Sequence, residues 1–378
     1  MGLNTRQRPV HRWSAAPGLS VLCGTIASMS STTARTHPGA RFVALGDSFS
    51  SGAGLATADD LGRAPTAFPE LVARTLGTDA DLQARTGAAI TEVLAQLPAL
   101  GPATEVVTLT VGGNDVGFAD AMRSCALPSW LTDCGHWVTV GRQVLHGTLP
   151  GRLTELLHRI RSSAPEATVV LAAYPHLFNG TDCHPATFFA PDEMEVLNAA
   201  TDDLDDTLLR CGQEAGVATV DPRPTFTGHA VCDTTPWIHG LTWPVSRSFH
   251  PTDAGNDELA VLVATRVRQL GHAPVPSERA GSWGPEQAGA ASAAPAAPAP
   301  TDSLQDVCRA VAAMHLDHPV NLARARAAGV DDRRVLALTR ALQTPDPARQ
   351  QEALADLEGL HRDHLAARGG CRVQPVRP

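Results

Sequence analysis

Between residues 41 and 271, short apolar runs alternate with segments of helical period, and that order admits few folds. Residues 41–46, 106–111, 168–173 and 217–220 read as strands, with a shorter one at 81–84. Residues 68–76, 140–161, 191–211 and 254–270 read as helices. The second of these sets Leu145, Leu149, Leu153, Leu156 and Leu157 along one side. Strands joined through helices return in the same direction, so the expected core is a mainly parallel sheet covered on both faces. Ligands of such sheets bind beyond the carboxyl ends of the strands. Chemistry is therefore expected in the residues that follow each strand.

The first strand runs into Gly46-Asp47-Ser48 and then Phe-Ser-Ser-Gly. A serine there is a nucleophile if a base reaches its hydroxyl, and the glycines let the backbone come close to a ligand. Alone, the tripeptide equally describes a turn, and Asp47 reads as the turn-forming residue. The strand at 106–111 is followed by Gly112-Gly113-Asn114-Asp115, whose Asn side chain can point N–H groups into the same crevice. Thr86-Gly87-Ala88 follows the short strand and offers the unobstructed N–H of Gly87. Each of these loops alone also fits a plain Gly/Asn turn. Ser248-Phe249-His250-Pro251 precedes the last helix. A histidine on a late loop of a sheet that already offers a serine is a candidate base. His229 is the runner-up. His158, His315, His361 and His364 lie in helical patterns and read as surface or core residues.

Gly46-Asp47-Ser48, Gly87, Gly113-Asn114-Asp115 and His250-Pro251 stand in the order of the four blocks of the GDSL/SGNH hydrolase superfamily. The chain resembles that superfamily over roughly residues 41–270. Tyr174-Pro175, Phe226-Thr227-Gly228-His229-Ala230 and Ser248-Phe249-His250-Pro251 resemble its secreted bacterial esterase and lipase branch. The resemblance implies an α/β, three-layer, flavodoxin-like fold. It also implies a serine esterase or lipase that cleaves carboxylic acyl esters through an acyl-serine intermediate. Ser48 would be the nucleophile and His250 its base. The Ser48 N–H, the Gly87 N–H and the Asn114 side chain would form the oxyanion hole. Where most members carry an aspartate shortly before the histidine, this chain has Arg247. A guanidinium accepts no hydrogen bond. The backbone carbonyl of Arg247 is therefore expected to orient His250, with Asp253 a less well-spaced alternative. Cysteines that the branch often has near positions 61 and 85 are replaced by Leu61 and Arg85. An acyltransferase on the same scaffold and a non-catalytic binding protein are the alternative readings.

A net charge of −9 leaves no basic footprint for nucleic acid, and no cluster of His, Asp and Glu has metal-ligand spacing. No nucleic-acid partner, metal or cofactor is expected. The expected substrate is a small-molecule or lipid acyl ester, and the expected state a monomer. Residues 117–138 carry Phe118, Met122, Leu127, Trp130, Leu131 and Trp137. They read as an apolar loop that either shapes the acyl pocket or fills the core.

Residues 1–34 have the layout of a secretory signal, with Arg6, Arg8 and Arg12 before a modest apolar stretch. Residues 41–271 form the hydrolase-like domain, 272–302 a Pro/Ala-rich linker, and 303–371 a domain of four helices of unknown role. That last domain is a candidate contact for cell-envelope material or a protein. The eight cysteines support secretion. Cys125 and Cys134 bracket a short loop, and Cys183 and Cys232 are natural loop partners. A Cys308–Cys371 bridge would staple the helical domain. Cys211 falls on an apolar stripe and reads as a buried thiol. Spacing does not fix the connectivity, and Cys183–Cys211 is the alternative pairing.

Overall fold

Five parallel strands pair in the order β2-β1-β3-β4-β5. They are β1 (Phe42–Gly46), β2 (Ala80–Leu82), β3 (Val106–Thr110), β4 (Thr168–Ala172) and β5 (Ala218–Val220). The structure is a computed structural model and describes residues 40–271 and 303–368. The signal-like segment 1–34, the linker 272–302 and Cys371 lie outside the described residues.

Every residue of β1 and β3 is buried, which is why both strands are nearly continuous apolar runs rather than alternating ones. From β1 the chain steps outward to β2, then returns to the other side of β1 as β3. The order reverses at β1 and β3, so the crevice of this sheet opens between the residues that follow those strands.

The helices of this part are α1 (Ser48–Ser51), α2 (Phe68–Thr75), α3 (Ile90–Leu94), α4 (Phe118–Cys125), α5 (Cys134–Gly147), α6 (Leu149–Ser163), α7 (Pro191–Glu214) and α8 (Asp253–Gln269). One layer packs α2 on α8; the other packs α5 and α6 on α7. The helix expected at 140–161 is two helices. Pro150 has no N–H to continue α5 and instead occupies the first turn of α6. Residues 117–138 are also largely helical, since α4 and the start of α5 account for most of them.

Four further helices follow: α9 (Leu304–Ala312), α10 (Pro319–Ala327), α11 (Asp332–Leu342) and α12 (Pro347–Arg368). Ser303 caps α9 by accepting the Asp306 N–H at 3.3 Å, and Asp331 caps α11. These helices do not close on themselves alone. Their core of Val311, Val335, Leu342 and Leu357 is continuous with Trp130, Leu131, Ala186 and Phe188 of the sheet-bearing part. Burying a large apolar side chain at this seam stabilises by roughly 1.5–3 kcal/mol.

Cys125 bridges Cys134, joining the end of α4 to the start of α5, and Cys183 bridges Cys232. Cys211 is a buried thiol. Cys308 is a free thiol among the described residues, on the buried stripe of α9 with Val307 and Val311, and its expected partner Cys371 lies outside them.

Candidate active site

The turn after β1 is built to present Ser48. Gly46 has φ +125, and a Cβ there would lie 2.3 Å from the Thr110 carbonyl oxygen, so glycine is required. The Gln96 amide clips this residue from both sides, accepting the Gly46 N–H at 2.8 Å and donating to its carbonyl at 2.9 Å. Asp47 then caps α1. Its Oδ1 accepts the Phe49 N–H at 3.0 Å and the Thr110 hydroxyl at 2.8 Å, and its Oδ2 accepts from the Tyr174 hydroxyl. Burial pushes the Asp47 carboxyl up to about 6, against the opposing pull of Tyr174, Thr110 and the Phe49 N–H. Every side-chain oxygen of Asp47 is thus spent on the turn. Ser48 opens α1 and is 8% exposed. Among the described residues its N–H and its hydroxyl have no hydrogen-bond partner.

Two further loops follow the neighbouring strands β2 and β3 and carry the other expected donors. Gly87 has φ +78, open space where a Cβ would be, and an N–H with no acceptor among the described residues. Asn114 donates one side-chain N–H to the Ala88 carbonyl at 3.0 Å, which leaves the second. Asp115 adds a second tie between the same loops by accepting the Ile90 N–H at 3.0 Å, while Arg152 pairs with its other oxygen at 2.9 Å. Its carboxyl is raised by burial despite these partners. Gly113 is fixed by donating its N–H to the Tyr174 hydroxyl at 3.2 Å.

His250 lies on the segment that enters α8. An antiparallel bridge joins Ile238 to Pro251. His239 N–H donates to the His250 carbonyl at 2.9 Å, and Phe249 N–H donates to the His239 carbonyl at 3.0 Å. The His250 ring stands 5.7 Å from the ring of Phe49, the residue after Ser48. Enclosure pushes its pKa down to about 4; the carbonyls of Ser248, Arg247 and Ser246 oppose the shift, and His239 adds to it. The Arg247 side chain turns away and donates to the Gly54 carbonyl at 2.8 Å. The runner-up His229 is committed elsewhere. It stacks on Trp237 with centroids 3.5 Å apart and pairs through Nδ1 with the Thr235 carbonyl at 2.7 Å. Asp253 is the first residue of α8.

Residues 44–258 match the sequence profile of the GDSL-like lipase/acylhydrolase family. The chain belongs to that family. A lipase of Streptomyces rimosus is 36% identical over 224 residues, which are 57% of this chain and 82% of that protein. Lipase 1 of Streptomyces coelicolor is 34% identical over 247 residues, 63% of this chain and 91% of that protein. Among solved structures, the extracellular lipase of Streptomyces rimosus superposes with a TM-score of 0.55 at 34% identity, covering 59% of this chain and 97% of its own. The phospholipase A1 of Streptomyces albidoflavus gives 0.56 at 35%, covering 60% and 98%. The protein is thus a lipase or acylhydrolase of the GDSL family, a carboxylic ester hydrolase. Helices α9–α12 lie beyond the matched residues.

Val116, Phe118, Trp137, Leu177, Phe178 and Leu204 line an apolar cavity of about 50 Å³ between α4, α5 and α7, and none of Ser48, Gly87, Asn114 and His250 lines it. The apolar segment 117–138 therefore divides. Phe118 and Trp137 face this cavity, while Trp130 and Leu131 face α9–α12. The sequence reading assigned no role to Tyr174, Gln96 or His239. For Tyr174 a signal was available. It is the chain's single tyrosine, it directly follows an apolar run, and a buried hydroxyl needs partners. Gln96 and His239 carry no such mark.

Proposed function

We propose that Ser48 is the nucleophile of this acylhydrolase and His250 its base. His250 takes the Ser48 proton as the hydroxyl oxygen attacks the acyl carbonyl. The Ser48 N–H, the Gly87 N–H and the free Asn114 N–H hold the oxyanion. His250 then passes the proton to the leaving alcohol. Water, deprotonated by the same ring, releases the acid and restores Ser48. The Arg247 carbonyl is the orienter in this reading, although the Ser248 and Ser246 carbonyls also favour the protonated ring and the buried His250 Nδ1 has no hydrogen-bond partner among the described residues.

One observation carries the proposal. The buried Ser48 N–H lacks an acceptor among the described residues, while the exposed Gly87 N–H and one Asn114 amide hydrogen are likewise uncommitted. A buried donor such as the Ser48 N–H is otherwise paired. The substrate class is a lipid acyl ester, supported by relatives that are a lipase and a phospholipase A1. Secretion is supported by two disulfides and by an extracellular relative.

Turnover of p-nitrophenyl esters of graded chain length tests the reading. Ser48→Ala is expected to lower kcat by at least about 10³-fold while leaving Tm unchanged. Equal activity in the variant and the wild type overturns it.

A further inference from the structure

The loop after Ser48 and the loop that carries His250 meet at Gly54. A Cβ on Gly54 would lie 2.2 Å from the Pro251 carbonyl oxygen and 3.0 Å from the His250 Cβ. No other residue type fits there without moving the histidine. The carbonyl of Gly54 is also held. Arg247 donates its Nε–H to it at 2.8 Å, across 193 residues of chain. The ring of His239 faces the same carbonyl, which favours its protonated form, while burial and the Arg247 charge oppose protonation.

Around this contact the backbone is under load. Phe249 has φ +60, a left-handed conformation that a bulky side chain adopts only when its surroundings impose it. The Phe178 and Phe189 rings pack on Phe249 at 6.2 and 5.7 Å. They hold its side chain, and Arg247 ties the same segment to the Ser48 loop. Its backbone ends the short 3-10 turn Val245–Arg247, and its guanidinium spans from the histidine loop to the serine loop.

We propose that the Arg247 side chain is a positioning residue. By clasping the Gly54 carbonyl it sets the spacing between the His250 ring and the Ser48 hydroxyl. This rests on Ser48 and His250 being nucleophile and base. Arg247 itself touches neither substrate nor the reacting atoms. Misplacing a reacting group by about 1 Å costs on the order of 100-fold in rate, so a spacing held by one guanidinium is expected to appear in kcat and not in KM.

The test is kinetic, on the full-length protein with a soluble p-nitrophenyl ester. Arg247→Ala is expected to lower kcat roughly 10- to 100-fold with KM within about twofold. Millimolar guanidinium chloride should restore part of the loss, and sodium chloride at equal ionic strength should not. A loss through general destabilisation would not respond to guanidinium. A second variant probes the same contact from the other loop. Gly54→Ala should lower kcat by a similar factor with no response to guanidinium, because its clash remains. The proposal is overturned by an Arg247→Ala kcat within about twofold of wild type, by a loss that guanidinium leaves unchanged, or by a Gly54→Ala enzyme of full activity. Wild-type turnover that Ser48→Ala fails to abolish would instead show that the underlying assignment of the nucleophile is wrong.

Discussion

The Asn114 side chain donates to the Ala88 carbonyl at 3.0 Å, so one amide joins the loop after β3 to the Gly87 loop and keeps a second hydrogen for the proposed oxyanion hole. The Asp115 bond to the Ile90 N–H, at 3.0 Å, holds those loops together independently of Asn114. Asn114→Ala should therefore lose the donor without losing the loop. Its kcat is expected to fall roughly 10²–10³-fold, as for other single oxyanion donors. KM should change little, and steady-state kinetics reads both. A variant with wild-type kcat would remove Asn114 from the oxyanion hole.

The pH dependence follows from His250. As the proposed base it works only when neutral, and enclosure pushes its pKa down to about 4. The acid limb of kcat/KM should lie near that value instead of the ordinary imidazole range near pH ~6.5. Asp47, next to Ser48 in the chain and pushed up to about 6, is a second group that titrates in this window. An Asp47→Asn profile that keeps the limb near pH 4 assigns it to His250. A wild-type midpoint near pH ~6.5 would contradict the enclosed, neutral ring.

Tyr174→Phe tests the support under the serine turn. It strips a buried partner from both Asp47 and the Gly113 N–H. An unpaired buried group costs roughly 1–3 kcal/mol. The loss should also depend on pH. The folded-state pKa of Asp47 is raised from 3.8 to about 6, so its contribution to stability is fully present below 3.8 and is lost as pH rises through 6. The Tyr174 hydrogen bond lowers that pKa, so its removal extends the loss to higher pH. The Tm deficit of Tyr174→Phe should be larger at pH 8 than at pH 5. Equal deficits would rule out the coupling.

The parts of this molecule legible in its sequence are those fixed by local pattern. β1 and β3 are buried on both faces and so are written as nearly continuous apolar runs. Ser48, Gly87 and Asn114 could be picked out because each closely follows a strand, where sheet geometry puts ligands. Contacts made across the chain left no mark. Gln96 clips Gly46 from 50 residues away, and Arg247 reaches Gly54 from 193. The break between α5 and α6 was hidden because Leu145, Leu149 and Leu153 are buried on both sides of it, so the apolar spacing runs through Pro150.

Helices α9–α12 are seated on the rest of the chain through a titratable seam. His361 on α12 is 4% exposed, and its Nδ1 accepts from the Ser129 N–H and pairs with the Ser129 hydroxyl, each at 3.4 Å. Its ring packs near Trp130 and Phe188. Burial, with His364 and Arg368 adding, pushes its pKa from 6.5 down to about 4. Its contribution is therefore present above pH 6.5 and is lost as pH falls toward 4, by roughly 3 kcal/mol at most. Glu193, 4.0 Å from Arg368, runs the other way. Burial raises its carboxyl to about 7, so acid favours its buried form. His361→Met separates the two contributions by leaving only Glu193. Between pH 7 and pH 5 the two contributions oppose each other and nearly cancel in the wild type. Hydrogen exchange of the α12 amides, corrected for intrinsic rate, should therefore show little change in wild-type protection and a rise in His361→Met, where only Glu193 remains. The same response to pH in both proteins would mean that His361 does not govern how α12 is held.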